Sequence, residues 1–126
     1  MTNSLLLVAY ATADPPPPTS DSANSVAISP RYTSTYRPPG PYTGNATITP
    51  LSTRVSKDTD TFEVIFTCDS CLHWSQEGSE GGAKTSSGMI DLAWAVSSKR
   101  PVLADDGHGL VSIAQHARQG TWVAEV

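Results

Sequence analysis

Apolar residues in this chain come in short, strand-length runs separated by turn chemistry. Leu5-Leu6-Leu7-Val8-Ala9-Tyr10 is a continuous apolar run and predicts a buried β-strand. Ser25 to Tyr32 predicts a weaker strand, broken by Arg37-Pro38-Pro39-Gly40-Pro41. From Asn45 to Leu51 the pattern alternates, with Ala46, Ile48 and Pro50 on one side and Thr47 and Thr49 on the other. Alternation returns from Thr61 to Thr67, where Phe62, Val64 and Phe66 share one face and Glu63 and Ile65 the other. A Gly/Ser/Glu loop is expected from Ser75 to Gly88, followed by a largely buried strand at Met89–Val96. Leu110–Ile113 is the candidate last strand, running into Ala114–Arg118, which is helix-compatible but short. Short strands with turns between them predict an all-β, antiparallel, immunoglobulin-like β-sandwich. Its expected extent is 1–118, with 119–126 as a C-terminal tail.

Six strands are fewer than a ligand-enclosing sandwich uses, and the first begins almost at residue 1. The expectation is a domain incomplete at its N-terminus. Leu5 to Ala9 followed by Ala11-Thr12-Ala13 also permits a signal-peptide reading. The uncharged Met1-Thr2-Asn3-Ser4 lacks the basic start that such a leader carries, so the strand reading is preferred. Four consecutive prolines, Pro15–Pro18, predict a stiff polyproline II stretch on a surface loop.

Composition narrows the class. Charged residues are 16% of the 126 positions, against about 25% in an ordinary soluble domain, and 16 Ser with 14 Thr fill the difference. That profile suits an extracellular β-domain with hydroxyl-bearing strands. A net charge of −4 argues against nucleic-acid binding, which needs clustered Lys and Arg. No apolar run reaches the length of a membrane span, and neither a nucleotide-binding loop nor a G-x-S-x-G nucleophile motif occurs.

Candidate chemistry is sparse. Cys68 and Cys71 are too few for a four-thiolate metal site. They can be a reduced pair of small hydrophobes, a redox motif, or a structural disulfide at a strand end, the last being favoured and implying an oxidising compartment. Of the three histidines, His73 is expected on a loop after the cysteines, and His116 lies near the end of the chain. His108 sits in Asp105-Asp106-Gly107-His108-Gly109, where the ordinary reading is a solvated loop and a surface metal site is the lesser one. Asn45-Ala46-Thr47 is a glycosylation sequon.

Five ordered pieces carry a family resemblance. They are Met1-x-x-x-Leu5-Leu6-Leu7-Val8-Ala9-Tyr10, Arg31-Tyr32-x-x-x-Tyr36, Tyr42-Thr43-Gly44-Asn45-Ala46-Thr47, Phe66-Thr67-Cys68-Asp69-Ser70-Cys71-Leu72-His73-Trp74 and Leu92-Ala93-Trp94-Ala95. Together they resemble the cytochrome domain of fungal cellobiose dehydrogenase, a DOMON-type sandwich that holds a b-type haem. The resemblance implies a disulfide between Cys68 and Cys71. It implies Met1 and His108 as the axial ligands of the iron, and Tyr36 near the haem propionates. The register is inexact at the histidine, since alignment on Gly109 puts Asp105 nearer the family position. The implied function is electron transfer outside the cell, with a flavin dehydrogenase or a copper polysaccharide monooxygenase as redox partner and the chain itself not a catalyst. Strands that precede the methionine in the family have no counterpart here, so weak or absent activity is the expectation. The competing reading is a haem-free module that binds polysaccharide or mediates adhesion, with Trp74 or Trp122 stacking on sugars.

Overall fold

The opening apolar run forms β1 (Ser4–Ala11), which pairs antiparallel with β2 (Val26–Thr33) along its whole length, Ser4 opposite Thr33 and Ala11 opposite Val26. The computed structural model describes residues 3–12, 26–35, 37–56, 58–99, 101–103, 111–112 and 114–125. Short β3 (Gly40–Pro41) flanks β2 on its other side, completing a three-stranded sheet ordered β1-β2-β3. Pro30 is tolerated in the central strand because β3 pairs only with Arg31 and Tyr32. Its carbonyl accepts from the Tyr42 N–H at 3.2 Å, and the amide hydrogen that proline lacks leaves the reciprocal bond of that pair unmade at the end of the ladder.

The remaining strands form two-stranded antiparallel pairs. β4 (Thr47–Ser56) pairs with β5 (Thr61–Asp69), β6 (His73–Gln76) with β7 (Ser79–Gly82), β8 (Met89–Val96) with β11 (Arg118–Glu125), and β9 (Val102–Leu103) with β10 (Val111–Ser112). Eleven strands and no helix are present among the described residues.

A one-residue bulge at Leu51 sets the phase of β4, because Pro50 stands opposite Phe66 while Ser52 stands opposite Ile65. Before the bulge Ile48 and Pro50 share a face with Cys68 and Phe66. After it Thr53 and Val55 join Val64 and Phe62 on that same face. An uninterrupted strand would have turned Val55 to the opposite side. The extra residue therefore reconciles two out-of-phase halves.

The core is small. Val26, Tyr32, Tyr42 and Ile90 are buried, as is the Arg31 side chain, whose Nε donates to Ser29 Oγ at 3.0 Å. Tyr32 and Tyr42 meet at a centroid distance of 6.5 Å with planes tilted by 38°.

Several expectations need correcting. β1 and β8 are not buried strands: β1 is mostly half-exposed, and in β8 only Ile90 is buried. The expected loop 75–88 contains a hairpin, turned by Glu77 and Gly78 with φ of 54° and 75°. Two successive left-handed residues are what a tight two-residue hairpin turn requires. Its inward positions, Trp74, Gln76, Ser79 and Gly81, include one large apolar side chain, so hydropathy alternation could not reveal it. His73 opens β6 rather than lying on a loop. Arg118–Glu125, divided above between the domain's end and a tail, is β11, paired throughout with β8.

Candidate functional site

Met1, Tyr36 and His108 all lie outside the described residues, as do Asp105 and Asp106. What the structure describes is the framework on which they are strung. His108 belongs to the connection 104–110 between β9 and β10, and the pairing of Leu103 with Val111 closes that connection at its base. Tyr36 lies between Thr35 and Arg37, which are joined by a bond from the Arg37 N–H to the Thr35 carbonyl at 2.8 Å. The Thr33 hydroxyl also contacts the Thr35 carbonyl and lies 3.4 Å from the Arg37 carbonyl.

Framework detail is richest beside Met1. Asn3 adopts a left-handed φ of 55°, a conformation that asparagine tolerates better than most side chains. Its backbone carbonyl accepts the Trp74 indole N–H at 2.8 Å, across 71 positions of sequence. Its side-chain Oδ1 accepts the Tyr32 hydroxyl at 3.3 Å. Trp74 reaches Asn3 because its cross-strand partner is Gly81. A Cβ at that glycine would collide with the indole nitrogen and stand 2.9 Å from the Asn3 carbonyl oxygen.

The β6–β7 hairpin is tied to the first sheet a second time. Gln76 Nε2 donates to the Pro41 carbonyl at 3.1 Å, and its Oε1 accepts the Thr43 N–H at 2.8 Å. One side-chain amide thus extends the ladder past β3 by imitating a peptide group. Asn3, Trp74, Gly81 and Gln76 were not identifiable as a unit from sequence. A Trp three residues before a Glu-Gly turn is the one available cue.

Cys68 and Cys71 are joined as a disulfide, with Cα atoms 5.7 Å apart. Cys68 belongs to β5 and Cys71 follows it, so the bridge closes the strand end, as the favoured sequence reading holds. Asn45 is exposed, and the Thr47 hydroxyl of its sequon lies 3.5 Å from the Asn45 carbonyl. Among the described residues no group of three His, Cys, Asp or Glu side chains could hold a metal ion. No helix among them is long and apolar enough to cross a membrane.

One side of the β8–β11 pair is largely apolar: Ile90, Leu92, Trp94 and Val96 alternate on β8, facing Ala124, Trp122, Gly120 and, at the end, Arg118 on β11. Trp94 is 38% exposed and Trp122 51%, so both indoles are open to solvent. The Trp74 indole, by contrast, is half-buried and its N–H is engaged. Two observations bear on whether the chain suits a porphyrin. Its sequence offers a thioether and an imidazole, the donor pair of high-potential haem proteins. Its sheets also leave apolar faces open, the surface that a macrocycle needs. Both fit.

Comparison with known proteins gives the same direction. The family model for the cytochrome domain of cellobiose dehydrogenase matches residues 1–126. Among solved structures, the cytochrome domain of Myriococcum thermophilum cellobiose dehydrogenase superposes with a TM-score of 0.75 at 35% sequence identity. The match covers 99% of this chain and 54% of that one, so this chain spans about half the length of its structural relative. The antiparallel β-sandwich expected from sequence is the architecture the two share.

Proposed function

Because the chain belongs to the family of cellobiose dehydrogenase cytochrome domains, we propose that it is a haem b-binding electron-transfer module and not itself a catalyst. The observation that carries this reading is the family match, which runs from the first residue to the last. Met1 would supply a thioether and His108 an imidazole to hold the iron, with Tyr36 contributing to the haem-binding residues. A bound haem b supplies a one-electron iron couple, and thioether–imidazole ligation raises its potential.

This chain's own residues contribute position and an apolar surface. Trp74 and Tyr32 hold Asn3, two residues from the thioether. The β9–β10 pairing fixes both ends of the segment that bears the imidazole. The electron donor is a flavin dehydrogenase and the acceptor a copper polysaccharide monooxygenase, both working outside the cell. The Cys68–Cys71 disulfide agrees with an oxidising location, and exposed Asn45 is available there as a glycan acceptor.

A second reading has one observation in its favour. The exposed pair Trp94 and Trp122 on one sheet face would suit a haem-free polysaccharide-binding module. Haem titration separates the two. The full chain, made behind a cleavable leader so that residue 1 can be varied, is titrated with haem and examined oxidised and reduced. Low-spin bands that disappear in Met1→Ala and His108→Ala variants are expected. A folded chain that takes up no haem yet binds polysaccharide would replace the first reading with the second.

A further inference from the structure

Trp94 sits opposite Gly120 in the β8–β11 pair. A Cβ built on that glycine would stand 2.7 Å from the indole Nε1, 2.8 Å from Cε2 and 2.9 Å from Cζ2. Nearly equal distances to three successive ring atoms place that point over the face of the indole, not against its edge. The ring therefore lies across β11 at its one position without a side chain, and its second face is turned away from the strand. Arg118 and Trp122 stand two residues to either side of Gly120, so both share this face and are diagonal neighbours of Trp94. Both are exposed. The result is a row of guanidinium, indole and indole about 13 Å long, the reach of four residues of extended chain. Its one charge is positive, because Asp91 and Glu125, the acids of these two strands, alternate onto the opposite face. A bond from the Ala117 N–H to the Val96 carbonyl at 2.8 Å carries the pair to the end where exposed Lys99 follows.

We infer that this row binds an acidic polysaccharide, a glycan whose sugars carry carboxylates, with pyranose rings stacked on Trp94 and Trp122 and a carboxylate held at Arg118. A pyranose ring offers a patch of C–H groups that packs on an aromatic plane while its hydroxyls stay in water. Two indoles would serve a neutral glycan equally well. The guanidinium is what selects, since its planar fork of donors matches a carboxylate in a bidentate geometry. Length points to a polymer, because the row is longer than one sugar ring. The inference rests on the polysaccharide-binding reading of this face given above and names its ligand class. It depends neither on the iron ligands nor on haem being absent.

The test is calorimetric titration of the full chain, with and without added haem, using hexagalacturonate as the acidic probe and cellohexaose as the neutral one. Hexagalacturonate should bind about tenfold tighter, the worth of one charge-assisted hydrogen bond, and high salt should narrow the gap. Arg118→Gln should make the two affinities equal, whereas Arg54→Gln, on the β4–β5 pair, should leave the preference as it was. Trp122→Thr should weaken both ligands together, and its exposed position keeps the test available if Trp94→Thr does not fold. Equal affinities in the unaltered chain, a preference that survives Arg118→Gln, or one lost equally in Arg54→Gln would overturn the acidic-glycan inference. Each would leave the polysaccharide reading of the face standing. No binding of either glycan would overturn both. Displacement of hexagalacturonate by haem would assign the face to the porphyrin and overturn the inference. A dimer that takes up no glycan and dissociates in Trp122→Thr would do the same, with a second copy as the occupant.

Discussion

Two glycines in this chain do different work despite similar surroundings. Gly81 and Gly120 each face a tryptophan across a strand pair, Trp74 and Trp94 respectively. A methyl group at Gly120 would come within 2.7–2.9 Å of the Trp94 ring, but that ring is exposed on an open face and can swing aside. Replacing a strand glycine also removes backbone freedom from the unfolded chain, a gain of about 0.4–1 kcal/mol. At Gly120 the two effects offset, and Gly120→Ala should leave stability nearly unchanged. At Gly81 the methyl meets both a half-buried indole and the Asn3 backbone, which cannot rotate away. Gly81→Ala should cost about 1–3 kcal/mol, the usual penalty of overpacking. Equilibrium denaturation of both variants decides the matter, and equal midpoints would show that Trp74 is not fixed against Asn3.

Among the strands, legibility followed hydropathy. β1, β5 and β8 announce themselves through Leu5–Tyr10, the Phe62/Val64/Phe66 alternation and Met89–Val96. β6 and β7 are held by a tryptophan indole, a glutamine amide and two glycines that make room for rings, none of which changes an apolar pattern. β11 was hidden because Trp122 and Val123 are adjacent, and only its distant partner β8 decides which of them shares the face of Ile90 and Leu92. The bulge in β4 was equally invisible, since the break in phase at Leu51 looks like loss of periodicity. It yields a sharp expectation. Deleting Leu51 should leave β4 and β5 in their present register, because the residues on either side already face consecutive partners, Phe66 and Ile65. Leu51 is 63% exposed, so its loss should change stability by less than about 1 kcal/mol. Cross-strand contacts between Val55 and Phe62 measured by NMR would report the register. Their replacement by contacts from Arg54 to Phe62 would refute the account of the bulge.

For the molecule as a whole, the sequence resemblance located the family correctly, while the proposed ligands fall on segments that local pattern does not describe. Met1, Tyr36 and His108 lie outside the described residues, so their roles rest on the resemblance and stay a proposal. The open side of β8–β11 has a consequence at this scale. An apolar face carrying Trp94, Val96 and Trp122 should bind a hydrophobic dye before haem is added. Trp122→Thr should weaken that fluorescence markedly and leave the unfolding midpoint close to its original value. An undiminished signal would mean that the dye sits elsewhere. The Cys68–Cys71 link carries a further meaning for the whole chain. A copy synthesised in a reducing cytosol would begin life with two thiols and a loosened end to β5. One that passed through a secretory pathway would leave already crosslinked. Two covalently distinct molecules can thus arise from one gene product, and the route of manufacture, rather than the amino-acid order, selects between them.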